Sequence, residues 1–267
     1  MSDAEWLFVA PYLSLISERA TQRKYPLREI FNGLRYILKS GCTWRMMPND
    51  LPPWEMVYQQ TRRWQEHGVF EEINRDMRDL LRHLQGKDYP PTAMIIDSRT
   101  MQSTPESGGR AGYDAGKKKK GSKTHVAVDM YGNLLALLVT PANQADRDVA
   151  YDLAVQVQQA TGESVKVCFA DGAYSGQATA DNLAACGLEL VVVKRTDGQA
   201  GFKVLPKRWI VERTLGWLSR FKRFARDYER LPEALAHLQL VAFVMLLMPK
   251  LFARIAEVHV LMGAVGS

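Results

Sequence analysis

Through the first third of the chain, apolar residues recur at spacings of three and four. In PLREIFNGLRYILKSG (26–41), Leu27, Ile30, Leu34, Ile37 and Leu38 form one stripe. Pro26 opens the stretch and Gly41 closes it, the usual asymmetry of helix ends. A loop carrying Pro48, Pro52 and Pro53 leads to WEMVYQQTRRWQEHG (54–68). Here the pattern turns Val57, Tyr58, Thr61 and Trp64 inward and leaves Gln59, Gln60, Arg62 and Arg63 outside. From residue 3 to about 85 only helices are predicted.

After GKDYPPT (86–92), a linker by composition, the period changes. A strand is expected at 93–97, then a basic, glycine-rich loop from Ser98 to Lys123. A hairpin follows, with strands at 124–129 and 134–140 and its turn on Tyr131, Gly132 and Asn133. A helix begins near Asp146, carries Val149, Leu153 and Val157, and ends at Gly162. Next come a strand at 165–170, a helix with Ser175 as N-cap and Gly187 past its end, a strand at 188–194, and one long helix over 206–229. The two late strands are joined through a helix and so should be parallel, while the hairpin is antiparallel. The expected fold class is α/β: a ribonuclease H-like mixed five-stranded sheet flanked by helices, preceded by an all-helical N-terminal domain. The boundary is placed at 88/89, with the C-terminal helices assigned to the sheet domain.

Charge adds a direction. The chain has 35 Lys+Arg against 29 Asp+Glu, a formal charge of +6, and the excess is clustered. Arg110, Lys117, Lys118, Lys119, Lys120 and Lys123 face only Asp114, and nine basic residues lie between Lys203 and Arg230. Such clusters suit a polyanion, although a solvated face would have the same composition. Gln and Arg make bidentate contacts to bases and phosphates, so the 59–63 face supports either a helix-turn-helix-like DNA-binding domain or a plain helical subdomain. Cys42, Cys168 and Cys186 are far apart with no C-x-x-C, which indicates neither a disulfide framework nor a zinc site. The start, MSDAEWLFVAPYL, is acidic where a signal peptide would be basic, and LVAFVMLLMP (240–249) is apolar for only ten residues. A soluble, cytoplasmic protein without a membrane span is expected.

Three acidic residues carry candidate chemistry. Asp97 ends the first predicted strand, Asp171 follows the fourth in FADGAYSG, and Glu212 lies on the last helix in RWIVERTLGWL. Singly, each has an ordinary explanation as a turn former or an i,i+4 partner of Arg208. Together, the sheet order can bring the first and fourth strands side by side with the helix across them. Three carboxylates converging without a counter-charge repel one another, so hard divalent cations would belong between them. Two such ions about 4 Å apart suit displacement at a phosphodiester.

The stretches IIDSRT, GKKKKGSKTHVAVDMYGNLLALLVTPANQADRD, FADGAYSG and RWIVERTLGWLSRFKRFARDYE resemble the DDE transposases of short bacterial insertion sequences. LREIFNGLRYILKSGCTWRMMPNDLPPWEMVYQQTRRW resembles their helical N-terminal part. The resemblance implies Asp97, Asp171 and Glu212 as catalytic metal ligands for two Mg2+ ions, with Mn2+ as substitute. It also implies binding of inverted terminal repeats and target DNA by a homodimer, followed by cleavage and strand transfer. The family pattern Y-x-x-R-x-x-x-E-x-x-x-x-x-x-K is met at Arg208 and Glu212 but has Leu205 for its tyrosine and Ser219 for its lysine. Arg220 or Arg223 could supply the missing charge. Lys123 and His125 are placed near DNA or the scissile phosphate, with a packed, hydrogen-bonded ring as the ordinary alternative for His125, whereas Trp209 and Trp217 are read as core residues, one of which could also stack on a displaced base.

Overall fold

The structure is a computed structural model and describes residues 1–14, 24–87, 89–193 and 207–265. Expectations resting on Lys194, Lys203, Leu205 and Pro206 lie outside the described residues. The chain forms two compact units: Met1–Gln85 with Arg220–Ala225 and His237–Ser267, and Gly86–Ser219 with Arg226–Ala236. One division falls at residue 86, within GKDYPPT. The C-terminal helix differs from expectation, because its contacts from His237 onward are with the N-terminal helices.

In the first unit, α1 (Asp3–Ser14), α2 (Leu27–Ser40), α3 (Trp54–Glu66) and α4 (Val69–Leu84) pack with most of α8 (Pro232–Val265). The α2 stripe is buried as expected, and Gly41 adopts a left-handed conformation (φ 71°) that returns its N–H to the Ile37 carbonyl. A side chain there would also meet the Lys222 backbone at 2.8 Å. The rings of Phe31, Trp64 and Phe70 cluster in the core, and Trp64 Nε1 donates to the Leu13 carbonyl at 3.2 Å. On α3 the buried residues are Val57, Gln60, Thr61 and Trp64, so Gln60 and Tyr58 exchange their expected places. The reason is geometric: 57, 60, 61 and 64 fall on one 3.6-residue stripe, which position 58 leaves by about 100°. α8 runs through Pro249 rather than stopping there. Its residues 232–260 are long and apolar enough to cross a membrane, but 61% of its most apolar window is buried in the protein, as in a core helix.

The second unit is built on a mixed sheet of β1 (Ala93–Gln102), β2 (Gly112–Asp114), β3 (Lys119–Val128), β4 (Leu134–Pro141), β5 (Val167–Ala170) and β6 (Glu189–Val192). β1 lies between β3, antiparallel to it, and β5, parallel to it; β6 continues parallel beyond β5. β2 and β4 share the outer edge of β3, with β2 against Lys119–Gly121 and β4 against Ser122–Val128. The five longer strands thus follow the order β4-β3-β1-β5-β6, the expected ribonuclease H-like arrangement, with β2 as a short sixth strand. Helices α5 (Asp146–Thr161) and α6 (Gln177–Ala185) cover one face through Met94, Ile96, Ala127, Leu153, Val157 and Leu183. Ser175 closes a 3-10 turn instead of capping α6, whose N-cap is Gly176.

Two larger departures concern the site. The strand containing Asp97 does not stop there but continues to Gln102, paired with β3 down to Gln102↔Gly121. The expected basic loop is therefore largely sheet and hairpin. At that crossing a side chain on Gly121 would collide with the Met101 carbonyl, which restricts the position to glycine. The expected helix over 206–229 is limited to α7 (Arg208–Leu218). The chain then leaves the helix, and Asp227, fully buried, receives Arg110 Nη2 at 2.6 Å and Ser122 Oγ at 2.6 Å.

Candidate active site

The β1/β5 register ends on Ile95↔Phe169. Two residues further along each parallel strand bring Asp97 and Asp171 abreast on the same face, because strand side chains alternate with period two. Asp97 Oδ1 accepts the Ser98 N–H at 2.8 Å, and Asp171 Oδ1 accepts the Ala173 N–H at 2.8 Å at the head of a 3-10 turn. α7 packs against β1 and supplies Glu212 and, one turn earlier, Arg208.

Arg208 gathers all three acids. Its Nη2 lies 3.7 Å from Asp97 Oδ2, 3.5 Å from Asp171 Oδ2 and 3.3 Å from Glu212 Oε1. These separations make ion pairs rather than short hydrogen bonds. The cluster does carry a counter-charge, contrary to the expectation of unrelieved repulsion, and the i,i+4 pair Arg208–Glu212 is one edge of a four-residue cluster. The Asp97 carboxyl is pushed up to about 6: burial dominates, the Ser98 N–H and Arg208 oppose it, and Asp171 and Glu212 add to it.

Whether this set suits a cation is decided by its chemistry. Among the described residues no three His, Cys, Asp or Glu side chains stand at the spacing of a formed metal centre. The three carboxylates offer hard oxygens and outnumber the one guanidinium, so the donor set fits a hard divalent ion once Arg208 yields its place.

The remaining candidates are dispersed. Lys117, Lys118, Lys119 and Lys120 are all exposed around the turn between β2 and β3, where Asp114 accepts the Lys117 N–H at 2.9 Å. Lys123 and His125 are not at the surface: Lys123 Nζ is 3.0 Å from Asp146 Oδ1, and fully buried His125 bonds Thr140 Oγ1 through Nε2 at 2.9 Å. Arg110 is likewise committed, to Asp227. On α7, Trp209 is 41% exposed rather than core, and the Arg213 guanidinium lies over both Trp209 (4.5 Å) and Trp217 (4.6 Å). In the first unit, Gln59, Arg62 and Arg63 are exposed and Gln60 is buried. Arg220 is exposed, but Arg223 is buried with Nη1 on the Cys42 carbonyl at 3.2 Å. Sequence reasoning missed Asp146, which also accepts from Ser98 Oγ at 2.9 Å. An acidic residue at the start of a helix is ordinary, so nothing local marked it.

Fold and site together define a class: a ribonuclease H-like domain with an acidic cluster where two adjacent parallel strands meet a helix. The chain belongs to the "Transposase DDE domain" family, whose family model matches residues 88–247. Residues 1–74 match a second family model, "Putative transposase of IS4/5 family". A curated relative, the "Putative transposase for insertion sequence element IS402" of Burkholderia cepacia, is 31% identical over 142 residues. That alignment covers 51% of this chain and 65% of the relative, so less than two thirds of the relative's length is matched. Among solved structures, the catalytic domain of Mos1 mariner transposase aligns with a TM-score of 0.34 and 14% identity, covering 70% of this chain and 92% of that one. The Mos1 paired-end complex with left transposon end aligns with a TM-score of 0.27 and 13% identity, covering 91% and 81%.

Proposed function

We propose that this protein is a transposase that binds inverted terminal repeats, cuts the DNA there in a metal-dependent reaction, and joins the freed 3′ end to target DNA. The observation that carries this reading is the convergence of Asp97, Asp171 and Glu212 on one guanidinium beside the β1/β5 pair. Those three carboxylates would hold two Mg2+ ions, with Mn2+ as substitute. When bound, such ions activate a water or 3′ hydroxyl and stabilise the leaving oxygen at a phosphodiester. The protein's own part is orientation. The Ser98 N–H fixes one Asp97 oxygen, the turn after Asp171 fixes that carboxylate, and α7 brings Glu212 to the cluster. The lysines at the β2/β3 turn serve backbone phosphates, which position DNA without reading its sequence. The exposed residues Gln59, Arg62 and Arg63 on α3 are the base-reading candidates. A homodimer engaging both ends completes the proposal.

The test is a joining assay on labelled end DNA with Mg2+. Wild type should give strand-transfer products, whereas Asp97→Asn, Asp171→Asn and Glu212→Gln should bind DNA but neither cut nor join. Cleavage without joining would instead identify a ribonuclease H-like nuclease. Binding alone by wild type would identify a DNA-binding regulator, and full activity in Asp171→Asn would refute the triad.

A further inference from the structure

Behind Asp97, on the face covered by α5, lies a polar cluster that the acidic site does not use. Its centre is Asp146, the first residue of α5. Asp146 Oδ1 accepts from Ser98 Oγ at 2.9 Å, pairs with Lys123 Nζ at 3.0 Å and lies 3.8 Å from His125 Nδ1. Lys123 Nζ also donates to the Gln144 carbonyl at 2.8 Å. Two buried polar atoms around this group have no hydrogen-bond partner among the described residues: His125 Nδ1 and the Tyr174 hydroxyl. Tyr174 stands three residues after Asp171, and its hydroxyl is kept protonated first by burial, then by the charges of Asp146, Asp97 and Asp171. A lysine–carboxylate pair is costly to bury and gives little stability beyond what apolar packing would provide. What it can supply is orientation, and this one touches Ser98, the neighbour of Asp97.

We propose that Asp146 is a positioning residue for the Asp97 carboxylate, acting through Ser98 from the opposite face of the sheet. Ser98 joins the two faces. Its hydroxyl points toward α5 and is held by Asp146, while its backbone N–H donates to Asp97 Oδ1 at 2.8 Å. The Asp146 contact tethers the Ser98 side chain to the start of α5 and so restrains displacement of the stretch of β1 whose N–H meets Asp97. Lys123, which meets both Asp146 and the Gln144 carbonyl, holds Asp146 in place. Groups outside the ligand set commonly orient ligands in this way, and their loss typically weakens metal binding about 10- to 100-fold.

The inference rests on the reading of Asp97 as a metal ligand, and the experiment separates the two. Mn2+ binding to the full chain without DNA is measured by the electron paramagnetic resonance signal of free Mn2+, for wild type, Asp97→Asn, Ser98→Ala, Ser98→Thr, Asp146→Ala and Ser98→Ala/Asp146→Ala. Ser98→Ala should weaken binding about 10-fold, with the melting temperature in chelator and the DNA affinity unchanged. Ser98→Thr, which restores the hydroxyl, should bind as wild type does. Because Asp146 acts through Ser98, the double variant should bind no more weakly than Asp146→Ala alone. Equal binding by Ser98→Ala and wild type, or losses that multiply in the double variant, would overturn the positioning role. Equal binding by Asp97→Asn and wild type would overturn both the role and the ligand reading beneath it. Should Asp146→Ala not fold, the contrast between Ser98→Ala and Ser98→Thr decides alone.

Discussion

Replacing Asp97 by Asn should make the metal-free protein more stable near neutral pH. The Asp97 carboxyl is pushed up to about 6 from an ordinary value of 3.8, mainly by burial, with Asp171 and Glu212 adding to the effect. Its side chain is 17% exposed, so solvent screens it little. A shift of about 2 units at 1.36 kcal/mol each corresponds to roughly 3 kcal/mol by which the ionised group disfavours the folded state. The sign follows from proton binding. Between pH 4 and 6 the folded state holds a proton that the unfolded state has released, so stability rises as pH falls through this window and the penalty is complete above about 6. Asn carries no charge at nearly the same shape. Urea unfolding in chelator should therefore show Asp97→Asn up to about 3 kcal/mol more stable than wild type at pH 7, with the gap closing toward pH 4. Mg2+ or Mn2+ should raise the wild-type midpoint more than the variant's, since a ligand stabilises the state that binds it. An Asn variant no more stable than wild type at pH 7, or an advantage that persists undiminished to pH 4, would refute the reasoning.

Three further outcomes are expected. His237 is buried, neither ring nitrogen has a hydrogen-bond partner among the described residues, and its pKa is lowered to about 4 by burial. The unfolded chain takes up a proton below about 6.5 that the folded chain refuses, so wild type should lose roughly 3 kcal/mol between pH 6.5 and 4 that His237→Leu keeps, read as the difference between their urea midpoints. His125 contributes in the same direction in both proteins and cancels from that difference. Replacing Lys117 to Lys120 by Ala should weaken binding to cognate and random duplexes alike and flatten the log K against log[salt] slope by up to about 0.9 per lost phosphate contact, while an unchanged slope would return the hairpin to an ordinary solvated turn. Gln59→Ala, Arg62→Ala and Arg63→Ala in the full chain should reduce protection of end DNA in a footprint by roughly 1–3 kcal/mol per lost base contact; loss of protection in Gln60→Ala with a normal fold would contradict its burial.

The parts legible in the sequence were those set by local periodicity. The α2 stripe, the hairpin turn on Tyr131 to Asn133, the α5 boundaries at Asp146 and Gly162 and the parallel late strands each depend on spacings within about a dozen residues. That order of elements, with the first strand beside the fourth, is what places Asp97 next to Asp171. The misses depend on partners far away in the chain. SRTMQ, after Asp97, has neither strong alternation nor strong β-formers, yet it is strand because β3 supplies the ladder. The lysines and glycines at the start of β3 read as loop for the same reason. α7 ends at Leu218, short of the expected 229, and Asp227 beyond it is bonded to Arg110, 117 residues away. Tyr58 and Gln60 differ from these: the error there was one of phase on a single helix, which the 3.6-residue period alone would have corrected.

The acidic site joins both kinds of information. The sequence leads to an expectation of repulsion among Asp97, Asp171 and Glu212, relieved by positive charge between them. The structure supplies that charge from within, since a single guanidinium nitrogen stands 3.3–3.7 Å from all three. A guanidinium is a single, delocalised positive charge set against three carboxylates, and the Asp97 carboxyl is raised mainly by its burial, with Arg208 opposing the smaller contributions of Asp171 and Glu212. A divalent ion offers twice the charge in a smaller volume, and the carboxylates can approach it more closely than the 3.3 Å at which the nearest of them meets Arg208. On the proposed reading, a divalent cation would take the place of the guanidinium among the three carboxylates. The i,i+4 pair that makes Glu212 look like an ordinary partner of Arg208 is thus one edge of the cluster in which the same guanidinium nitrogen meets Asp97 and Asp171.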